Sequence, residues 1–228
     1  MIDWHSHVLP AMDDGSQDVE ESVSMLKALK AQGVDTVIAT PHFYANDESV
    51  DSFLERRAKS FELLESKLEE GDPKILLGAE VRYYVGIGRM AELERLTIGS
   101  TKLVLIEMPM TRWTEYTVKE LVELAGTSRL TIVLAHIERY LKFQKSDVWR
   151  RLAASGILMQ VNASAFEGTF RRGKAIKLLR SGMLRFIGSD CHNMTSRPPN
   201  ISVAYEAIGK KCGEHAVSRL DEYGHDKI

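Results

Sequence analysis

The first seven residues, Met1-Ile2-Asp3-Trp4-His5-Ser6-His7, set a pattern that recurs along the whole chain. A β-prone run from Ile2 to His5 passes directly into the pair of histidines His5 and His7. Because alternate side chains of a strand point to the same face, these two imidazoles can bind one metal ion. The stretch therefore predicts a strand whose carboxyl end carries metal ligands.

Further β-prone runs follow at intervals and alternate with helical patterns. The runs cover Thr36–Thr40, Ile75–Val81, Leu103–Glu107, Thr131–His136, Leu158–Asn162 and Arg185–Asp190. Apolar residues at three-to-four spacing lie between them, first from Val19 to Leu29, then within residues 53–68, after Glu115, and within residues 148–154, 174–179 and 203–208. Continuous apolar strands are buried on both faces, so the alternation predicts an α/β fold with a helix-covered parallel sheet. A barrel and an open doubly wound sheet both satisfy this pattern.

The charge balance and apolar content of the sequence limit the classes of protein to which the chain can belong. The 228 residues include 30 basic and 32 acidic side chains, for a formal net charge of -2, and 44% of residues are apolar. This balance predicts a folded domain and removes the broad electrostatic case for a nucleic-acid partner. No apolar run approaches the ~20 residues of a bilayer-spanning helix, and no signal peptide is recognisable, so we expect a cytoplasmic protein without membrane insertion. We expect one domain over residues 1–213, followed by a polar, partly loose tail over residues 214–228.

Imidazoles and carboxylates stand at almost every predicted strand end. The strands end at or run into His5 and His7, His42, Glu80, Glu107, His136, and Asp190 with His192. The carboxyl ends of parallel strands meet at one edge of a sheet, where α/β proteins build their sites. Any single histidine after a strand is usually a solvated loop residue, but the repetition predicts a metal cluster suited to Zn, Mn or Fe.

These residues and their neighbours carry a resemblance to a known family. The motifs are His5-Ser6-His7, Thr40-Pro41-His42, Gly78-Ala79-Glu80, Ile106-Glu107-Met108-Pro109, Ala135-His136-Ile137-Glu138-Arg139-Tyr140 and Gly188-Ser189-Asp190-Cys191-His192. Together they resemble the polymerase and histidinol phosphatase (PHP) superfamily. Within it, the chain is similar to the bacterial manganese-dependent protein-tyrosine phosphatases of capsule and exopolysaccharide operons.

The resemblance implies a distorted (β/α)7 barrel, similar to a TIM barrel, that holds three divalent ions. One ion would be bound by His5, His7, Glu80 and Asp190, and Glu80 would bridge to a second ion bound by Glu107 and His136. The third would be bound by His42, His192 and one acid of the pair Asp13 and Asp14, of which Asp14 is favoured. Manganese is implied by the resemblance, and Fe, Zn, Mg and Co also suit such ligands.

The implied reaction is hydrolysis of a phosphotyrosine-containing protein, a bacterial tyrosine autokinase. Water activated by the metal ions would attack the phosphorus without a covalent intermediate. Arg139 and Arg197 are the candidate catalytic arginines, since a guanidinium binds phosphoryl oxygens in a bidentate manner. Among the loop aromatics, Phe43, Tyr44 and Trp113 are candidates to pack the phosphotyrosine ring, although anchoring of their own loops explains them equally well.

Other chemistries compete with this interpretation. Residues Cys191 to Arg197 match the Cys-x5-Arg loop of cysteine-dependent tyrosine phosphatases, but the loop has no glycine and Pro198-Pro199 follow it. A metal-dependent amidohydrolase also begins with His-x-His on a barrel strand, yet Glu80 fits the phosphoesterase pattern better. Within the PHP group, a histidinol phosphatase or another small-molecule phosphoesterase remains the main alternative. A non-catalytic interaction module would leave the many potential ligands without a role.

Overall fold

Strands and helices alternate along the chain, which confirms the predicted α/β class. The computed structural model describes residues 1–228. Its strands are β1 (Ile2–Ser6), β2 (Thr36–Ala39), β3 (His42–Phe43), β4 (Lys74–Leu77), β5 (Glu80–Arg82), β6 (Leu103–Glu107), β7 (Thr131–Leu134), β8 (Leu158–Asn162) and β9 (Phe186–Gly188). Its α-helices are α1 (Val19–Ala31), α2 (Val50–Glu65), α3 (Glu115–Thr127), α4 (Ser146–Ala154), α5 (Thr169–Arg180), α6 (Ile201–Cys212) and α7 (Glu214–His225). No helix is both long enough and apolar enough to span a bilayer.

All strand pairs are parallel, and the sheet is curled into a half-barrel. One run of strands has the order β1-β2-β4 and the other the order β3-β5-β6-β7-β8-β9. The last strand lies beside the first, because Asp190 N donates to the carbonyl of His5 at 2.7 Å and His7 N donates to that of Cys191 at 2.9 Å. The carboxyl ends of the strands therefore face one common region.

The predicted strand Ile75–Val81 is wrong as a single element. It is interrupted at Gly78-Ala79, so that β4 pairs with β2 whereas β5 pairs with β3. The matching interruption in the neighbouring strand is Thr40-Pro41, and Pro41 has no N–H to donate to a ladder. Gly78 N instead donates to the carbonyl of Ala39 and Glu80 N to that of Pro41, at 2.8 and 3.0 Å. The short strand β3, which the sequence analysis did not separate, begins after this step and carries His42.

A bulge in β1 places the first two histidines. The pairing of β1 with β2 runs from Asp3 opposite Val37 to Ser6 opposite Ala39, so β1 has one extra residue. Such an insertion re-aims the side chains that follow it. Trp4 thus packs in the smaller apolar cluster, stacked on Phe186 with ring centroids 3.9 Å apart, while His5 in the next position points into the candidate site.

The larger core lies between the sheet and the helices, with Met25, Leu29, Leu121, Trp149 and Ile208 among its members. The C-terminal segment differs from the expected loose tail, since residues 214–225 form helix α7. Only Leu220 and Gly224 of this helix are buried, and most of its residues are polar. Gly224 packs so closely on Trp4 that a Cβ at this position would lie 3.0 Å from the indole nitrogen.

Candidate metal centre

Glu80 lies at the centre of the converging strand ends. Its Oε2 atom is 3.2 Å from His5 Nε2, 3.4 Å from His7 Nε2 and 3.1 Å from His42 Nδ1, and its Oε1 is 2.8 Å from His136 Nε2. Burial alone would raise the pKa of Glu80, but the positive charge of His5 and the hydrogen bond from His136 hold the pKa well below its usual value. Glu80 is therefore an anion shared by four imidazoles.

Asp190 approaches the same group from the end of β9. Its Oδ1 atom lies 3.6 Å from His5 Nε2 and 3.5 Å from His7 Nε2. Its Oδ2 atom accepts hydrogen bonds from Asn162 Nδ2 at 2.7 Å and from Arg139, and forms an ion pair with Arg197 Nη2 at 2.8 Å. The two arginines chosen from the sequence thus meet on one carboxylate beside the cluster.

The ligand atoms fall into groups that match the coordination of divalent ions. Within each group the nitrogen and oxygen atoms lie within 4.8 Å of one another, and the groups are His5-His7-Asp190, His5-Glu80-His136, His42-Glu80-Glu107 and His7-Asp14-His42-His192. Glu107 lies at the margin, with Oε1 3.9 Å from His136 Nε2. All nine side chains proposed as ligands from the sequence are therefore brought together at one edge of the sheet.

Asp13 and Asp14 take different positions. Asp14 Oδ1 lies 3.5 Å from His42 Nε2 and 3.4 Å from His192 Nε2, and the side chain is 66% exposed. Asp13 is turned away from these atoms. Its Oδ2 atom is 2.8 Å from His7 Nδ1 and accepts a hydrogen bond from His42 N at 2.8 Å. Asp14 thus faces the cluster, whereas Asp13 holds the outer side of a histidine.

Most of the histidines have such a partner on the ring nitrogen that points away from the cluster. His5 Nδ1 lies 3.4 Å from Gln160 Oε1, and His136 Nδ1 lies 3.0 Å from the Tyr140 hydroxyl. Partners of this kind fix the orientation and tautomer of metal-binding histidines. Gln160 was not identified from the sequence, and its position inside β8, before the strand end, gave no signal.

Two buried histidine atoms test whether metal ions fit the site. His192 Nδ1 donates to the carbonyl of Asp190 at 3.0 Å, so Nε2 carries the lone pair, and this buried atom has no hydrogen-bond partner. His42 Nδ1 is also buried and makes no hydrogen bond. Unpaired buried polar atoms are costly, and a metal ion would satisfy both. The residues present therefore fit divalent metal ions.

The charges within the cluster are unevenly distributed. Burial lowers the pKa of His7, but the hydrogen bonds that His7 donates to the carboxylates of Asp13 and Glu80, together with their charges, outweigh this and raise the pKa to about 10. Burial and the charge of His7 lower the pKa of His192 to about 4. His192 is accordingly neutral at pH 7, the form in which an imidazole binds metal.

The backbone is strained at two of the candidate ligands. His136 has φ 31° and Asp190 has φ 54°, both in the left-handed region that non-glycine residues seldom occupy. Gly188 allows the approach of β9 to β1, because a Cβ there would lie 2.5 Å from His5 Cβ. Asp3, which the sequence analysis did not select, accepts hydrogen bonds from Ser189 N and Oγ at 2.7 and 2.6 Å. It thereby anchors the segment that carries Asp190.

The three candidate aromatic contacts have different positions. Tyr44 is 36% exposed, and its ring stacks on His42 with centroids 5.3 Å apart. Phe43 is fully buried and packs edge-on against Phe53 in the core, because neighbouring residues of β3 point to opposite faces. The prediction that Phe43 packs against a phosphotyrosine ring is therefore wrong.

Trp113 is also a buried residue. Its ring packs against Tyr140 and Trp149 with centroids 5.4 Å away in each case, and its Nε1 donates to the carbonyl of Pro109 at 3.0 Å. Only 7% of the residue is exposed. Trp113 therefore anchors the loop between β6 and α3, and the prediction that it contacts a substrate ring is wrong.

Cys191 lies beneath the cluster with 1% of its surface exposed. Burial raises the pKa of its thiol well above the usual value. A reactive cysteine needs an exposed position and a lowered pKa. The structure therefore gives no support to the alternative in which Cys191 acts as a nucleophile.

A third arginine that the sequence analysis did not select lies at the opposite side of the cluster. Arg82 Nη1 donates to Glu107 Oε2 at 2.8 Å. Its side chain is 41% exposed. Its position at the end of β5, two residues after Glu80, was a signal that could have identified it, because alternate strand residues share a face.

Comparison with known proteins agrees with the family resemblance of the sequence motifs. The family described as capsular polysaccharide synthesis, CpsB/CapC, matches residues 1–227. The chain is 30% identical to the tyrosine-protein phosphatase YwqE of Bacillus subtilis, with 97% of this chain and 89% of the relative covered. It is 31% identical to the tyrosine-protein phosphatase CpsB of Streptococcus agalactiae serotype V, with 96% and 94% covered.

A solved structure from work on YwqE of Bacillus subtilis and CpsB of Streptococcus pneumoniae, described as unique metal-dependent tyrosine phosphatases, has the same fold. The TM-score is 0.81 at 27% identity, with 97% of this chain and 92% of that chain covered. A chain in the structure of archaeal ribonuclease P with mature tRNA has a TM-score of 0.60 at 14% identity, a likeness of fold alone. The resemblance seen in the sequence motifs is confirmed.

Proposed function

The chain belongs to the CpsB/CapC family of capsular polysaccharide synthesis, and on this premise we propose that it is a metal-dependent protein-tyrosine phosphatase. The observation that carries the proposal is the convergence of nine imidazole and carboxylate side chains around Glu80, with arginines on their exposed side. The relatives named as tyrosine-protein phosphatases cover nearly the whole chain, which supports the same activity.

We assign the ligands of three divalent ions as the sequence motifs suggest. His5, His7, Glu80 and Asp190 would hold the first ion; Glu80, Glu107 and His136 the second; Asp14, His42 and His192 the third. Manganese is the proposed metal. The bound ions would supply an acidified water and positive charge for the phosphoryl oxygens. No side chain of the protein is then required as a nucleophile.

The residues of the chain have separate tasks in this proposal. Arg139 and Arg197 share Asp190 Oδ2 and are partly exposed, so each has donors left for phosphoryl oxygens. Tyr44 stands on the exposed side of His42 and offers its ring to the substrate ring. Asp13, Gln160 and Tyr140 orient histidines and do not touch the substrate.

The proposal also covers the barrel architecture, the substrate and the cellular location. The backbone bonds between β9 and β1 support a distorted (β/α)7 barrel as the description of the curled sheet. The proposed substrate is a phosphorylated bacterial tyrosine autokinase that regulates capsular or exopolysaccharide synthesis. A cytoplasmic location and a catalytic domain ending at residue 213 stay predictions.

The proposed function is tested by comparing the hydrolysis of a phosphotyrosyl peptide with that of histidinol phosphate. Each substrate is measured with added manganese, with a chelator and after alkylation of thiols. We expect turnover of the peptide that the chelator abolishes and alkylation leaves unchanged. Preference for histidinol phosphate would move the protein to the small-molecule phosphatases, and inactivation by alkylation alone would overturn the metal mechanism.

A further inference from the structure

Arg82 occupies a distinct position in the sheet, one step beyond the central carboxylate. His42 pairs with Glu80 across β3 and β5, and Arg82 pairs with Glu107 across β5 and β6. Tyr44 lies two residues after His42 and stacks on it, so it continues the same face. The register therefore places Tyr44 and Arg82 beside Glu107, one step beyond the pair His42 and Glu80.

The Arg82 guanidinium is fixed at one end and free at the other. Nη1 donates to Glu107 Oε2 at 2.8 Å, and no other carboxylate lies within 4.0 Å of the guanidinium. With 41% of the side chain exposed, Arg82 is accessible to a ligand that comes from solvent. Arg82 is thus held in place by one contact and keeps hydrogen-bonding capacity for a ligand.

The position of Arg82 is opposite to that of the other two arginines. Arg139 and Arg197 contact Asp190 at the β9 side of the cluster, whereas Arg82 contacts Glu107 at the β6 side and lies beside the exposed ring of Tyr44. A phosphate ester whose aromatic ring packs on Tyr44 would place its bridging oxygen on the Arg82 side. Its remaining phosphoryl oxygens would face Arg139 and Arg197.

Hydrolysis of an aryl phosphate creates negative charge on that bridging oxygen. The bond from phosphorus to the water oxygen forms while the bond to the aryl oxygen breaks, and the electron pair of the broken bond stays on the aryl oxygen. The water oxygen loses a proton to solvent, and the phenolate takes one up from solvent after it leaves. A fixed cation next to the departing oxygen lowers the barrier because it stabilises charge that develops only in the transition state.

We propose that Arg82 is a catalytic residue that binds the bridging oxygen of the substrate and stabilises the departing phenolate. The inference rests on the proposed phosphatase function. Arginine suits this task because it stays charged at any pH in which the protein is folded, and therefore acts through its charge and its N–H donors. The competing role is that Arg82 only positions Glu107 for metal binding.

Two substrates with different leaving groups separate these roles. The manganese-loaded protein, Arg82→Ala and Arg82→Lys are assayed with phenyl phosphate and with p-nitrophenyl phosphate, whose phenolate is more stable and needs less help. We expect Arg82→Ala to lower kcat/KM for phenyl phosphate by about 100-fold and for p-nitrophenyl phosphate by about 10-fold or less. The loss should lie mainly in kcat, and Arg82→Lys should recover part of it.

Bound manganese, measured by mass spectrometry of the purified variants, is the second readout. The content should be the same in Arg82→Ala and in the parent protein. Arg89→Ala is the matched control, since Arg89 follows β5 in the chain, is exposed and forms no ion pair with a carboxylate. This variant should keep both activities and the metal content.

An equal loss for both substrates, or a loss of manganese, would assign Arg82 to the positioning of Glu107 and overturn the proposal. If the parent protein hydrolyses neither the phosphotyrosyl peptide nor the aryl phosphates with manganese, the proposed phosphatase function itself falls. The two failures are therefore distinguishable.

Discussion

The buried and the exposed parts of the metal centre differ in how firmly their side chains are held. His5, Glu80, His136 and Asp190 are each at most 4% exposed. His5, His136 and Asp190 also have hydrogen-bonding partners outside the set of ligands. In the outer group, Asp14 is 66% exposed and two buried histidine atoms lack hydrogen bonds. The inner ligands are thus oriented before any ion binds, whereas Asp14, the acid of the outer group, is mostly exposed to solvent.

This difference predicts which metal ions bind tightly and which exchange readily with solvent. Preorganised ligands with second partners bind metal more tightly, by about 10- to 100-fold for each such partner. We therefore expect the inner ions to resist chelation longer than the ion between Asp14, His42 and His192. A substrate that arrives from solvent would meet the weakly held ion first.

We expect the largest effect from replacing Glu80, the carboxylate that the inner ligands share. In Glu80→Gln the charge that faces four histidines is lost while the size is kept. We expect activity on a phosphotyrosyl peptide to fall by on the order of 1,000-fold or more, because the loss of a ligand exceeds that of a second partner. Bound manganese should fall by more than one ion per chain. A variant with full metal content would show that Glu80 does not bridge two ions.

The next largest effect is expected from replacing Arg139, and it separates stabilisation of the phosphoryl charge from metal binding. Arg139→Ala removes a guanidinium from Asp190 but no ligand atom. Activity should fall by about 100-fold, the cost of one well-placed donor, with the manganese content unchanged. Metal loss equal to that in Glu80→Gln would mean that Arg139 supports the inner ligands and not the substrate.

Asp13 and Asp14 form a matched pair for comparing inner support with the outer ligand. Asp14→Ala should weaken one ion, so that activity falls by about 10-fold and recovers at high manganese. Asp13→Ala removes hydrogen bonds to His7, His42 and Gly15, and should lower the free energy of unfolding by about 2 kcal/mol or more in chelator-treated protein. Thermal unfolding of both apoproteins measures this difference. Equal unfolding temperatures for both variants and the parent would contradict the distinction.

We expect the smallest effect from replacing Cys191, which lies below the inner ligands. Cys191→Ala removes a buried thiol that is protonated at neutral pH and carries no proposed ligand role. Activity and manganese content should stay within about twofold of the parent. Complete inactivation with retained metal would revive the cysteine mechanism.

Much of the fold could be predicted because its signals are local. Apolar runs of β-prone residues recur at the positions of β1, β2, β6, β7 and β8, and each is followed by a helical pattern. The interruption at Gly78-Ala79 was missed, since it depends on the pairing of two neighbouring strands around Pro41. Helix α7 was missed because only two of its residues are buried.

Substrate contacts were harder to predict than the cluster. Phe43, Tyr44 and Trp113 are all aromatic and all follow a strand predicted from the sequence, yet only Tyr44 remains exposed. Whether a loop side chain turns toward solvent or into the core depends on what packs against it. For Trp113 those neighbours are Tyr140 and Trp149, which come from distant parts of the chain.

The sequence by itself determined the chemistry available at the strand ends, since parallel strands bring their carboxyl ends to one edge wherever the helices between them lie. Only the tertiary structure decided which acid faces the cluster, which nitrogen of each histidine stays free, and that Arg82 stands opposite Arg139 and Arg197. These choices depend on a bulge in β1, a stepped pair of strands and the direction of single side chains. Each is settled by contacts between residues far apart in sequence, which no local pattern records.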